Sequence, residues 1–324
     1  MARRLNILIT GCNGFIGKHL AASLAYHPEL KCHITGVDPN ELESIVPTPI
    51  VDNFQKCDAG SYMKLLNDGH QLRNLFPEKV AYDVIVHLGT ISRGPIFDKY
   101  PEDSISSDTL ALLSILSYCR FHPETKLVYL STMAAGLSTK PIHTLKLNAE
   151  CLITSYIQRY GINAAIIKAD KVFGPGENDF DEFNSLLRVC KKAKLENRIV
   201  TVFGESDVTA NGGVGTQRND WIHVTKLTEG IISVIKDHLL VHKRPFIKTF
   251  QIFSGIVRSV DEIAWAFKPE FVEYDPKRLV RRIREPVYDS NLLPYELSRQ
   301  RDLGIPNIDV LEYIEAWLGD NVPS

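Results

Sequence analysis

A chain of 324 residues with 44% hydrophobic and 23% charged side chains has the composition of an ordinary globular protein, which excludes a disordered chain, a collagen and a coiled coil. Thirty-seven Lys and Arg against thirty-nine Asp and Glu leave a net charge of −2, so neither a basic nucleic-acid surface nor an acidic solvating tail is implied. Met1-Ala2-Arg3-Arg4 leads into only five apolar residues, and no uncharged stretch is long enough to cross a bilayer; neither a secretory leader nor a membrane span is expected. The six cysteines, Cys12, Cys32, Cys57, Cys119, Cys151 and Cys190, are each at least 20 residues from the next. That spacing predicts reduced thiols in a cytoplasmic protein, with neither a disulfide frame nor a metal site.

The apolar run at 5–9, closed by Gly11, predicts a buried strand. A helix is expected over 18–26, stopped by Pro28, and a second strand over 33–37, ended by Asp38-Pro39. Apolar residues at 62, 65, 66, 72 and 75 give 61–76 the stripe of an amphipathic helix. Strands at 83–88, 126–130 and 163–168 then alternate with helices at 104–121 and 142–160. This rhythm, with solidly apolar strands, predicts an α/β fold: a doubly wound parallel sheet of the Rossmann kind, covered by helices on both faces.

The rhythm breaks near residue 170. A loop at 173–178, a helix at 182–190 and a strand at 199–203 precede a Gly-, Asn- and Thr-rich stretch, 206–217, expected to be a mobile loop. Helices at 226–238 and 260–267 flank a strand at 249–253, and a last helix covers 308–318. The expected division is a dinucleotide-binding domain over 1–170 and a smaller C-terminal substrate-binding lobe over 171–324. That lobe is interleaved with the sheet, through a strand near 249–253 that returns to it.

Thr10-Gly11-Cys12-Asn13-Gly14-Phe15-Ile16-Gly17 joins the first strand to the first helix. Glycines at 11, 14 and 17 permit a tight turn, close approach to a pyrophosphate and close packing of helix on strand. The amides that open the helix attract phosphate charge. Asp38 follows Gly17 by 21 residues, at the end of the second strand. A carboxylate there accepts both adenosine ribose hydroxyls and repels a 2′-phosphate, which favours NAD over NADP. Gly11, Asn13, Gly14, Phe15, Ile16, Gly17 and Asp38 are therefore the candidate cofactor-binding residues of this half.

The pattern Gly-x-x-Gly-Phe-Ile-Gly resembles that of the extended short-chain dehydrogenases/reductases, the nucleotide-sugar epimerase and dehydratase superfamily, and the resemblance runs nearly the whole length. Cys57-Asp58 resembles the acidic position that meets adenine, and Val86-His87-Leu88-Gly89-Thr90 the fourth strand beside the nicotinamide ribose. Val128-Tyr129-Leu130-Ser131-Thr132 resembles the strand that ends in the catalytic Ser or Thr, and Lys146-Leu147-Asn148-Ala149-Glu150 the segment with the catalytic Lys. Val172-Phe173-Gly174-Pro175-Gly176 is similar to the Val-Tyr-Gly-Pro-Gly loop, and 218–224 to an Arg-Asp-Phe-x-His-Val segment with one residue inserted. The resemblance implies an NAD-dependent oxidoreductase or epimerase acting on a sugar, carried as a nucleotide diphosphate, and a homodimer formed through the two long helices. It also implies that Asp58, Leu88, Gly89, Thr90, Lys146 and Val172 hold the cofactor.

One position departs from the family. A Tyr is expected four residues before Lys146, where this chain has Ile142. Thr132, Ser131, Lys146 and His143 are then the candidate catalytic residues. His143 lies three residues before Lys146 on one helix face, and an imidazole titrates near neutrality without help. Three readings follow: His143, or Thr132 or Lys146 through water, relays the proton; a substrate group does so; or the chain is a non-catalytic NAD-binding regulator or assembly subunit. Met133-Ala134 replace the acidic pair that dehydration needs, which disfavours that reaction. Lys171, Asn184, Arg218, Arg282 and Arg284 are implied to contact the substrate and its diphosphate.

Overall fold

The computed structural model describes residues 4–40, 50–68, 81–90, 97, 99–136, 141–177, 186–203, 218–241, 247–267, 272–275 and 308–321. The chain forms two compact units. The first comprises residues 1–136, 140–168 and 228–250, and the second 137–139, 169–227 and 251–324.

The first unit is built on a seven-stranded sheet of order β10-β6-β5-β4-β1-β2-β3. Its strands are β1 (Leu5–Thr10), β2 (Cys32–Asp38), β3 (Asn53–Lys56), β4 (Val84–His87), β5 (Lys126–Thr132), β6 (Asn163–Ala169) and β10 (Ile247–Gln251). The pairs β1–β2, β1–β4, β2–β3 and β4–β5 are all parallel. Parallel strands buried on both faces need apolar residues at every position. Ile7, Leu8 and Ile9 and Val84, Ile85 and Val86 are accordingly all fully buried. Helices α1 (Phe15–Ala25), α2 (Ala59–Asp68), α3 (Pro101–Phe121) and α4 (Pro141–Tyr160) complete the alternation. One core cluster joins α3 (Leu112, Ile115, Leu116), α4 (Ala149, Ile153, Ile157) and the sheet (Ile85, Leu127, Tyr129). It fixes the two long helices side by side over β4 and β5 and so sets the depth of the residues at the strand ends.

The second unit contains a three-stranded sheet, β11-β9-β7, and the pair β12-β8. Its strands are β7 (Lys171–Phe173), β8 (Val200–Phe203), β9 (Arg218–His223), β11 (Val257–Ser259) and β12 (Val272–Asp275). Its helices are α5 (Leu186–Leu195), α7 (Val260–Phe267) and α8 (Val310–Asn321). Phe173, Trp221, Ile263, Phe267 and Ile314 centre its own core. The helix α6 (Val224–Ser233) begins in this unit and runs into the first.

The doubly wound parallel sheet is as expected, and several boundaries differ. α1 begins at Phe15 instead of 18, because the turn closes immediately after Gly14, and α5 runs on to Leu195 past the expected end at 190. The helix expected over 226–238 changes to a π-helix at Val234–Leu239. β3, β7 and β11 escape pattern reading because they are three or four residues long and carry polar side chains. The latter part of the helix expected over 61–76, the loop at 206–217, Asn184 and the arginines at 281, 282 and 284 lie outside the described residues.

Candidate active site

The β1–α1 turn is a cradle without room for side chains. Gly11 has φ +71°, and a Cβ there would stand 2.7 Å from both Cα and N of Gly89 at the end of β4. A Cβ on Gly17 would fall 2.1 Å from the Gly11 carbonyl oxygen. Gly14 N–H donates to that same carbonyl at 3.1 Å and closes the turn. The amides that follow, at Phe15, Ile16 and Gly17, stand in the first turn of α1, where an α-helix offers them no internal acceptor. They form an anion-binding end.

Asp38, buried at the C-terminal end of β2, turns toward this cradle. Its Oδ2 accepts Asn13 N–H at 3.1 Å and its Oδ1 accepts Asn40 N–H at 3.0 Å. The carboxylate thus braces the glycine turn from the neighbouring strand. Asp58 opens α2: its Oδ1 accepts Ser61 N–H at 2.8 Å, in the manner of an N-cap. Partial burial acts to raise its pKa, and the bonds from Ser61 outweigh that and hold it below the ordinary carboxylate range.

At the ends of β4 and β5, Lys146 of α4 reaches inward. Its Nζ donates to Thr90 Oγ1 at 2.9 Å and to the Leu130 carbonyl at 3.0 Å, and it lies 4.9 Å from the centre of the Tyr129 ring. Burial pushes its pKa down to about 8, while the carboxylates of Asp108 and Glu150 act in the other direction. Ser131 and Thr132 close β5, and strand alternation sends their side chains to opposite faces. Ser131 is buried and donates its hydroxyl to Glu150 Oε1 at 2.5 Å. Thr132 is half-buried, and its Oγ1 accepts Ala134 N–H at 3.3 Å. Ile142 and His143 occupy the first turn of α4, both half-buried.

His87, in the middle of the sheet, is fully buried. Its Nδ1 lies 2.7 Å from Thr10 Oγ1, and Gly89 N–H donates to the same oxygen at 3.3 Å. Burial, aided by the charge of Lys146, pushes the His87 pKa down to about 3, so the ring is neutral. A cavity of about 430 Å³ opens here between α3 and α4, with His87, Thr90, Asp108, Tyr129 and Asn148 in its wall.

In the second unit, Lys171 is exposed and Val172 is half-buried on β7, in register with Trp221 and Ile222 of β9. The backbone of Arg218 pairs with Ser259 of β11. Asp220 accepts two bonds from Ser254 N–H, at 3.0 and 2.9 Å, and another from the Ser254 hydroxyl. Burial pushes its pKa up to about 6 against those bonds. Phe173 meets His223 and Tyr313 edge to face, with centroids 5.3 and 5.2 Å apart, and His223 and Tyr313 are tilted against each other.

A family model described as the NAD dependent epimerase/dehydratase family matches residues 7–244. The chain belongs to that family. It is 28% identical over 273 residues to a protein of Bacillus subtilis (strain 168) named an uncharacterised UDP-glucose epimerase, covering 73% of this chain and 74% of the relative. It is 26% identical over 348 residues to a UDP-glucose 4-epimerase of Neisseria meningitidis, with 98% of each chain covered. Among solved structures, the UDP-glucose 4-epimerase of Thermotoga maritima with UDP-glucose superposes with a TM-score of 0.73 at 16% identity, over 98% of this chain and 100% of that one.

NAD is the cofactor of this epimerase/dehydratase-family enzyme, and the first unit fits it. The cradle that a Cβ would fill, the first-turn amides of α1 and the buried carboxylate of Asp38 provide for a pyrophosphate and a ribose. Of the residues singled out in the sequence, the structure gathers Gly11, Asn13, Gly14, Phe15, Ile16, Gly17, Asp38, Leu88, Gly89 and Thr90 around the C-terminal ends of β1, β2 and β4. Ser131, Thr132 and Lys146 stand at the ends of the adjoining strands. Lys171, Val172 and Arg218 belong to the second unit. Sequence reasoning assigned no role to His87, Asp108 or Glu150. Motif spacing does mark Glu150, one helical turn after Lys146, but its partner Lys168 lies on another strand. Among the described residues no group of three His, Cys, Asp or Glu side chains is placed to hold a metal, and no helix is long and apolar enough to cross a membrane.

Proposed function

We propose that the chain is a nucleotide-sugar epimerase or oxidoreductase, and that its substrate is a UDP-linked hexose. NAD supplies the hydride acceptor. Lys146 holds the nicotinamide ribose, and its buried position at the ends of β4 and β5, bonded to the Leu130 carbonyl two residues before Thr132, is the observation that carries the reading. Thr132 holds the reacting sugar oxygen, because the Ser131 hydroxyl is engaged by Glu150. His143, one turn before Lys146 on α4, exchanges the proton that Ile142 cannot. The names and bound ligand of the relatives, two UDP-glucose epimerases and a structure with UDP-glucose, support the choice of sugar. Lys171 and Arg218 are assigned to the diphosphate, as are Asn184, Arg282 and Arg284. Val172 and Asp58 are assigned to the cofactor.

The reading extends to the assembly. Ile105, Leu110 and Phe121 on α3 and Leu147 and Tyr160 on α4 are exposed large hydrophobics. Two copies pairing these helices about a twofold axis cover them. A cytoplasmic location accords with six free cysteines.

The test is product analysis: incubate the full chain with NAD and UDP-glucose, and resolve the sugars by NMR. A new UDP-hexose, lost by about 10²- to 10⁴-fold in rate in His143→Ala with NAD affinity retained, supports both the reaction and the relay. Full activity in His143→Ala with an unaltered pH profile removes His143. Bound NAD with UDP-glucose unchanged at long times favours a regulator instead.

A further inference from the structure

Behind the site, one carboxylate ties three elements together. Glu150 Oε1 accepts the Ser131 hydroxyl of β5 at 2.5 Å, and Glu150 Oε2 meets Lys168 Nζ of β6 at 3.0 Å. The side chains of Lys168 and Glu150 are only 16% and 14% exposed. A pair this shielded is screened far less than one on the surface. Neither partner is cheaply replaced, because losing one leaves a buried charge uncompensated.

Glu150 lies four residues after Lys146 on α4, so both share one helix face. The groups around Lys146 come from every element packed against it. Thr90 follows β4 and His87 lies on it; the Leu130 carbonyl and Tyr129 lie on β5, Asp108 on α3 and Glu150 on its own helix. His87 is neutral, for the reason given above, and Tyr129 contributes a ring face. Asp108 and Glu150 are thus the carboxylates that act on the amine. Glu150 is held by bonds from two different strands. Its distance and direction from Lys146 are therefore fixed by the fold.

We propose that Glu150 is a positioning residue for Lys146: aimed by Ser131 and countered on its far side by Lys168, its carboxylate sets the charge that Lys146 presents to the cofactor ribose. An ammonium offers three donors and no acceptor, which suits a pair of ribose hydroxyls. A neutral amine in the same place is a weaker donor. The inference rests on the assignment of Lys146 to the ribose.

The experiment reads Lys146 directly in the full chain, without cofactor or sugar. The Lys146 side-chain resonance is followed by NMR through a pH titration, assigned by its loss in Lys146→Met. Glu150→Gln keeps the shape and a hydrogen-bonding partner for Ser131 but removes the charge; its Lys146 midpoint is expected to fall by about one pH unit. Glu150→Asp is expected to restore at least half of that shift. Ser131→Ala, which leaves the charge in place, is expected to move the midpoint much less. Lys168→Gln, which strips away the counter-charge, is expected to raise it, and this variant serves if Glu150→Gln does not fold. An unchanged midpoint in both Glu150→Gln and Lys168→Gln, with lowered melting temperatures, makes the triad a packing device and overturns the proposal. If the midpoints move as expected but the chain fails to bind NADH, the assignment of function falls and the charge role of Glu150 stands.

Discussion

Gly17 has no space for one added methyl. Its Cβ would lie 2.1 Å from the Gly11 oxygen and 2.8 Å from the Cys12 Cα, both backbone atoms. Gly17→Ala is therefore expected to cost about 1–3 kcal/mol by overpacking, read by urea denaturation, and to weaken NAD binding at the displaced turn. Asp38→Ala is expected to lower NAD affinity without a matching gain for NADP, measured by calorimetry. These requirements are legible in sequence, because a position with no room for a side chain admits only Gly and a carboxylate at the end of the second strand narrows the choice to Asp or Glu. The state of His87 is not legible, since it depends on burial within the sheet and on the charge of Lys146 on another element. Its folded pKa, about 3, lies below the ordinary His value of 6.5. Unfolded chains thus bind the extra proton between those values, and stability is lost as pH falls through that window. His87→Asn, which does not titrate, is expected to flatten the loss by up to about 1.4 kcal/mol per pH unit. Asp220, raised to about 6 by burial, slopes the other way in both proteins and cancels in the comparison. Equal slopes in urea melts from pH 7 to 4.5 would remove His87 from the acid response.

At the scale of elements, the end of β5 gives different surroundings to two neighbours that sequence alone left equivalent. Ser131 and Thr132 both match the position of a catalytic hydroxyl, and the alternation of the strand places Ser131 against Glu150. Thr132→Val is expected to reduce kcat by about 10²- to 10⁴-fold with NAD affinity unchanged, and Ser131→Ala by much less. Steady-state kinetics with a nucleotide sugar, beside NADH fluorescence titrations, separates the two; equal losses would place both hydroxyls on the substrate. The long apolar strands and helices of the first unit are legible because each buries residues at a fixed period. The short polar strands β3, β7 and β11 take their form from pairing with neighbours distant in sequence, and the π-helical turn at Val234–Leu239 carries no residue signature.

For the whole molecule, exposed Leu110 and Phe121 on α3 predict self-association. Light scattering is expected to give about twice the chain mass of 36.5 kDa, and Leu110→Asp with Phe121→Asp is expected to yield monomers. A wild-type chain that scatters as a monomer at micromolar concentration would refute the assembly. The doubly wound parallel sheet and the glycine turn were foreseeable from alternation and glycine spacing. The sugar was not, because no motif in the sequence has a spacing that names one sugar. The central claim is hydride transfer between a nucleotide-sugar carbon and NAD, and it is tested most directly by one absorbance trace. UDP-glucose is added anaerobically to the NAD-loaded full chain, and the band of reduced nicotinamide is followed. A transient rise that Thr132→Val abolishes is the predicted result. A flat trace, with calorimetry showing NAD and UDP-glucose both bound, would contradict it.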